Sequence, residues 1–160
     1  MHIARCKLNL GCAEEALHVM SNDLVDKASS LLSIACTLAD IHDACDHPDL
    51  ARAVLRWAAE TIEGLGPENP YLAYMLCTMY LKVFALEHEA DHTDAAKEAL
   101  RQAIEAARIA DRTGADVRSF AFLSPTKDPE LMTNQPSCIE MIRMLLDHVD
   151  NNAYQQLLDE

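Results

Sequence analysis

One segment of the sequence occurs twice, at a spacing of 45 residues. The stretches "DHPDLARAVLRWAAE" (46–60) and "DHTDAAKEALRQAIE" (91–105) are identical at eight of fifteen positions. The shared residues are Asp46/Asp91, His47/His92, Asp49/Asp94, Ala51/Ala96, Leu55/Leu100, Arg56/Arg101, Ala58/Ala103 and Glu60/Glu105. Both copies are rich in residues that favour helix, and a period near 45 residues is typical of stacked helix pairs. The repeat therefore predicts an α-solenoid, in which each helix pair packs against its neighbours.

Helix-breaking residues divide the chain into segments that fit this repeat. Five long helices are expected at roughly 2–19, 23–45, 48–63, 69–88 and 93–112, separated by turn formers such as Ser21-Asn22-Asp23 and Gly64-Leu65-Gly66-Pro67. The first is a weaker third copy of the repeated helix, because His2, Lys7 and Leu10 fall in its register. A short helix near 115–123, a loop, an amphipathic helix after Ser137 and a last short helix near 152–159 follow.

The predicted fold is all-α: a tetratricopeptide-like, right-handed α-solenoid of antiparallel helix pairs with a C-terminal capping helix. We expect a single domain over 1–160, with helix pairs at about 1–20, 23–64 and 69–113 and a terminal cap at about 115–160. The segment 71–86, "YLAYMLCTMYLKVFAL", is apolar around most of its circumference, so it should be a buried middle helix. Trp57 is expected to pack between repeats, in the core or at its edge, and the alternative is that it anchors an interface with a partner.

Composition excludes several classes of function. The formal net charge is −13, which opposes direct nucleic-acid contact by this domain. No apolar run is long enough to span a membrane, and the first residues do not form a secretory signal. The six cysteines include no C-x-x-C and have mostly apolar or helical neighbours, which suits reduced thiols that pack as small hydrophobic residues and a cytoplasmic location. Phosphate-binding and nucleophile-elbow motifs are absent from the sequence, and no cofactor is expected.

The stretch "HEADH" fits the H-E-x-x-H pattern of zinc metalloproteases through His88, Glu89 and His92. That chemistry needs both imidazoles on one face of an unbroken helix. Here Asp91-His92-Thr93 aligns with Asp46-His47-Pro48, where the proline marks a turn. We therefore expect His88 and His92 to lie on either side of a bend, and we keep a metal-dependent hydrolase as an alternative.

Two further groups of residues are weaker candidates for chemistry. His42, Asp43, Asp46 and His47 form a second His/Asp cluster, for which a polar helix end is the simpler explanation. "SPTK" (124–127) matches the S-x-x-K of penicillin-recognising enzymes but lacks the partner motifs.

A polar stripe is expected along the first helices of successive pairs. It consists of Ser29, Ser33, Thr37, Tyr74, Thr78 and Lys82. Each triplet is spaced i, i+4, i+8 and so lies on one helical face, and the two triplets are 45 residues apart. In a solenoid this stripe would line the concave surface and bind a partner peptide, with Lys82 as its cation; the alternative is an ordinary exposed helix face.

The C-terminal part of the sequence resembles a known family. "ALRQAIEAARIADRTGADVRSFAFLSP" (99–125), followed by "DPEL" and "IEMIRMLLDH", is similar to the tetratricopeptide-like sensor regions of bacterial helix-turn-helix transcription regulators. The resemblance covers roughly 99–147. It implies a domain that binds a small peptide or partner protein, or dimerises, and relays that event to DNA binding elsewhere.

The sequence thus favours a non-catalytic module that binds a protein or peptide along the polar stripe. Besides the hydrolase, a structural homodimer is an alternative, in which 71–86 or the terminal helix completes its burial across a symmetric interface.

Overall fold

The computed structural model describes residues 13–66, 69–112, 137–149 and 152–159. Within these ranges, only the backbone is described for 13–23, 152, 153 and 159. The helices are α1 (Ala13–Ala44), α2 (Pro48–Glu63), α3 (Pro70–Glu89), α4 (Thr93–Arg112), α5 (Cys138–Leu146) and α6 (Asn152–Asp159). No strand occurs in these ranges, so the all-α prediction is confirmed. Within them, no helix combines the length and the apolar composition needed to cross a lipid bilayer.

The helix boundaries agree with the prediction from residue 45 to residue 112, and again in α5 and α6. The predicted interruption at Ser21-Asn22-Asp23 is wrong, because α1 runs through it. These residues are good caps but cost a helix interior only a few tenths of a kcal/mol each, and α1 contains neither Gly nor Pro. The expectations for 2–12, for the helix near 115–123 and for "SPTK" lie outside the described residues.

Two three-residue turns, 45–47 and 90–92, share one backbone geometry at the repeat spacing. Asp46 (φ 63°) and Asp91 (φ 59°) both have left-handed backbones. After each of them, the next N–H donates to a carbonyl five residues back: His47 to His42 O and His92 to Glu87 O, both at 2.9 Å. This is the hydrogen bond that closes a helix C-terminus in a Schellman motif. Each turn therefore stops one helix and starts the next in the same way.

Helices joined by these turns form two antiparallel hairpins: the first hairpin (α1 and α2) and the second hairpin (α3 and α4). α3 packs against both helices of the first hairpin and against α4, while α5 and α6 pack on α4 at the other end. The N-terminus of α5 is fixed by a capping box between Ser137 and Glu140 and by Asp111 of α4, whose carboxylate accepts from the N–H groups of Cys138 and Ile139 at 2.9 and 3.1 Å.

One hydrophobic core extends through both hairpins and into α5 and α6, and α3 supplies much of it. Met75, Met79, Val83 and Phe84 are at most 1% exposed, so the prediction that 71–86 is a buried middle helix is confirmed. Alanines such as Ala51 and Ala103, both fully buried, allow the helices to approach closely.

Trp57 and the cysteines depart in part from expectation. Trp57 is 59% exposed, so the prediction that it packs between repeats is wrong. It lies about 100° around α2 from Arg56, which contacts α3, and no described helix covers that side. Cys36, Cys45, Cys77 and Cys138 are free thiols; Cys77 and Cys138 belong to the core as expected, whereas Cys45 is exposed. Cys6 and Cys12 lie outside the described residues.

Asp91 is a position where glycine should be preferred over alanine. A left-handed backbone costs an L-residue about 1 kcal/mol that glycine does not bear. Asp91→Gly should therefore have a free energy of unfolding about 1 kcal/mol above that of Asp91→Ala, measured by urea denaturation. The same pair of substitutions at Arg101, in the interior of α4, should show the opposite order. If the glycine and alanine variants had the same order of stability at Asp91 as at Arg101, the left-handed turn geometry would be contradicted.

Candidate functional site

His88 and His92 do not converge, because the turn lies between them. α3 ends at Glu89, and the left-handed Asp91 redirects the chain before His92. The His88 ring stacks on Phe84 at 5.9 Å and meets the Tyr154 ring edge-on at 5.6 Å. His92 instead places Nδ1 2.9 Å from Oε2 of Glu87. The predicted bend is confirmed, and the two imidazoles have different partners.

Glu87 is the buried centre of an ion cluster between the hairpins. Its side chain is 5% exposed, and Oε1 accepts from Nη2 of Arg56 at 2.6 Å. Oε2 contacts His92 Nδ1 at 2.9 Å and Nε of Arg52 at 3.6 Å. Arg52 also bonds to Asp49, and its Nη1 is buried without a hydrogen-bond partner in the described residues. The cluster joins α2, α3 and the turn before α4.

The second His/Asp cluster surrounds the equivalent turn in the first hairpin. The His42 and His47 rings meet edge-on with centroids 6.4 Å apart, and Asp46 is the left-handed residue. Within the described residues, no group of three or more His, Cys, Asp or Glu side chains is arranged to hold a metal ion. Both histidine clusters lie at the turns that join the two helices of a hairpin.

The polar stripe lies on α1 and α3, and Thr37, Thr78 and Lys82 already use their side chains in contacts within the chain. The Thr37 and Thr78 hydroxyls donate to the carbonyls one turn earlier, Ser33 O at 2.8 Å and Tyr74 O at 3.1 Å. Lys82 Nζ is 2.6 Å from Oδ1 of Asp40, so the ammonium bridges the two helices as half of an ion pair. Burial raises the pKa of the half-buried Tyr74. Ser29 is half-buried, and no described contact assigns it a partner.

A groove lies between α2 and α4, and we name it the α2–α4 groove. Its main part has a volume of about 410 Å³ and continues into a shallower part of about 210 Å³. Tyr80 and Val83 of α3 form the floor together with Ala99. The rims carry the carboxylates Glu60, Glu63, Glu98 and Glu105 beside Gln102, with Arg56 at one end.

Tyr80 and Glu63 fix the middle of the groove. Tyr80 is 6% exposed and its hydroxyl donates to Oε1 of Glu63 at 2.5 Å. Burial, together with this hydrogen bond to a carboxylate, raises the pKa of the Tyr80 phenol above its usual range. Tyr80 therefore remains a neutral donor at physiological pH. Glu60 and Glu105 make no ion pair within the described residues, so their charges face the groove and solvent.

Sequence reasoning did not identify the Glu87 cluster or the groove. The signal for Glu87 is a charge at a core-facing position, four residues after Val83 and seven after Tyr80. Such a carboxylate needs partners in a helix packed against it. The groove has a weaker signal, namely that Glu60 and Glu105 are equivalent positions of the repeat.

The separation of His88 and His92 predicts that protein purified without added metal retains far less than stoichiometric zinc, measured by elemental analysis. A tightly held catalytic zinc would need convergent ligands. Near-stoichiometric zinc that is lost on His88→Ala, with helicity and thermal stability unchanged, would contradict this geometry and restore the hydrolase alternative.

Comparison of the chain with protein-family models, with curated protein sequences and with solved structures gives no significant match. The functional argument therefore depends on the site itself.

Proposed function

We propose that this protein is a non-catalytic interaction module of the helical-repeat type, and that its α2–α4 groove takes a basic segment of a partner protein. The observation that carries the proposal is the groove itself: an apolar floor flanked by four glutamates from two helices. Pockets that bind ligands combine apolar walls with a few placed polar groups. A chain of net charge −13 favours a cationic partner.

The proposal assigns the architecture to a tetratricopeptide-like, right-handed α-solenoid. Two observations support it. The turns at Asp46 and Asp91 have the same backbone geometry 45 residues apart. Asp40 and Lys82 pair between the first helices of consecutive hairpins at a separation of 42 residues, which is near the repeat length. Stacked repeats of this kind present their grooves to peptides.

A wider role follows from the sequence resemblance. A sensor region of a transcription regulator would use such a groove to detect a partner peptide in the cytoplasm. This part of the proposal rests on the resemblance of 99–147, of which 113–136 lie outside the described residues.

Selection of binders from a displayed library of lysine- and arginine-containing peptides tests the groove. Replacing both rim carboxylates by Glu60→Gln and Glu105→Gln should weaken the selected peptide about 10-fold and flatten its salt dependence. The matched control, Asp26→Asn with Asp147→Asn, changes the net charge equally at exposed sites away from the groove. Binding measured by fluorescence anisotropy should change little in the control. An equal loss in both variants would mean that only overall charge attracts the peptide, and would remove the groove assignment.

The polar stripe stays a second candidate surface for the same function, because α1 and α3 lie side by side there. Tyr74→Phe with Lys82→Gln removes its hydroxyl and its cation without opening the core. If the groove is the site, these substitutions should leave the affinity for the selected peptide within about 2-fold. A loss as large as that of the glutamate pair would transfer the site to the stripe.

A further inference from the structure

The first hairpin exposes an apolar surface that no described part of the chain covers. Ile34, Leu38 and Ile41 of α1 are 58, 42 and 52% exposed, and Leu50 and Trp57 of α2 are 50 and 59% exposed. We name these five residues the apolar end face. Such a set is unusual on a chain that is 24% charged.

Both helices turn this surface away from α3. On α1, Asp40 points to Lys82 of α3, and Ile34, Leu38 and Ile41 lie about 100–160° away around the helix. On α2, Arg56 points to Glu87 of α3, and Leu50 and Trp57 lie about 100–120° away. The two apolar strips therefore lie on the same side of the hairpin and form one surface.

Three of the five positions have interface positions as their equivalents in the second hairpin, whereas the equivalents of Leu50 and Trp57, Ala95 and Gln102, line the α2–α4 groove. Adding 45 to Ile34, Leu38 and Ile41 gives Met79, Val83 and Leu86. Met79 and Val83 are at most 1% exposed, and Leu86 lines a small cavity together with Ala39 and Leu55 of the first hairpin. The second hairpin thus uses these positions to pack against the first. The first hairpin presents the same positions to solvent.

Charge and size narrow the choice of what covers the face. On α1 and the turn after it, the strip consists of Ser30, Ile34, Leu38, Ile41 and Cys45, and on α2 it consists of Leu50, Trp57 and Thr61; none of these side chains is charged. A second copy with net charge −13 would be repelled at most other surfaces but meets no like charge here. Over the 16 residues of α2, two adjacent helices present about 500 Å² on each copy, near the lower limit for a specific interface.

We propose that the apolar end face is the contact surface of a two-fold symmetric dimer, in which it packs against the same face of a second copy. A two-fold contact joins identical patches, so an uncharged apolar face is complementary to itself. Trp57 lies at the same level as Ile34 and forms the aromatic centre of the contact. The dimer uses a different surface from the α2–α4 groove, so a negative result for the dimer would not contradict the proposed function, and the reverse also holds.

Sedimentation equilibrium of the full chain, from the low micromolar to the near-millimolar range, tests the dimer. A reversible monomer–dimer equilibrium in the micromolar range is expected. Since Trp57 is the only tryptophan, its emission should shift to shorter wavelength over the same concentrations. Trp57→Gln, which installs the residue found at position 102, should weaken the dimer at least about 30-fold, and Ile34→Lys should abolish both the dimer and the emission shift.

The matched control is Met144→Gln on α5, since Met144 is also 59% exposed but lies at the other end of the molecule. It should leave the dimer unchanged, and circular dichroism should show that all three variants remain helical. A chain that is monomeric at every concentration would overturn the proposal and assign the face to another occupant, such as residues 1–12 or a different protein. A dimer weakened by Met144→Gln but not by Trp57→Gln would overturn it as well.

Discussion

The Glu87 carboxylate is the contact on which the arrangement of the hairpins depends. It is buried, and a buried charge costs several kcal/mol unless it is paired. Its partners come from two other places in the chain: Arg52 and Arg56 from α2, and His92 from beyond the turn that ends α3. Arg52 and Arg56 reach Glu87 only if the two hairpins stack in this register, whereas His92 reaches it through the turn of its own hairpin. The cluster therefore disfavours shifted packings that the alanine-rich faces alone would tolerate.

This constraint also determines the shape of the candidate site. Arg56 takes part in the Glu87 cluster and forms one end of the α2–α4 groove. Two turns earlier along α3, Tyr80 bonds to Glu63 and fixes the other part of α2. With α2 held at both points and α4 redirected by the Asp91 turn, the floor of the groove and its rims keep a fixed spacing. A site preformed in this way loses less conformational entropy when a partner binds.

Periodicity and turn formers were enough to predict much of the fold. The pairing of Asp46 with Asp91 located both turns, and the apolar circumference of 71–86 identified the buried middle helix. The interruption at Ser21-Asn22-Asp23 was wrong because capping preference does not by itself stop a helix. Trp57 was assigned to the core on residue type, whereas its exposure depends on whether a further helix pair covers that side. The groove could not be predicted, since it arises from the lateral spacing of α2 and α4, which periodicity does not specify. In the sequence, the acidic rim of the groove is indicated only by Glu60 and Glu105, which occupy equivalent positions of the repeat.

A double-mutant cycle on Arg56 and Glu87 tests the central claim most directly. The free energy of unfolding is measured for Arg56→Met, Glu87→Gln and the double variant, with the exposed pair Arg101 and Glu98, 3.6 Å apart, as a reference cycle. Because Arg56 is half exposed, a coupling energy of about 1–2 kcal/mol is expected at this pair, against less than about 0.5 kcal/mol for the reference. Additive effects at Arg56 and Glu87, within about 0.5 kcal/mol, would show that the two hairpins are not held together through this carboxylate.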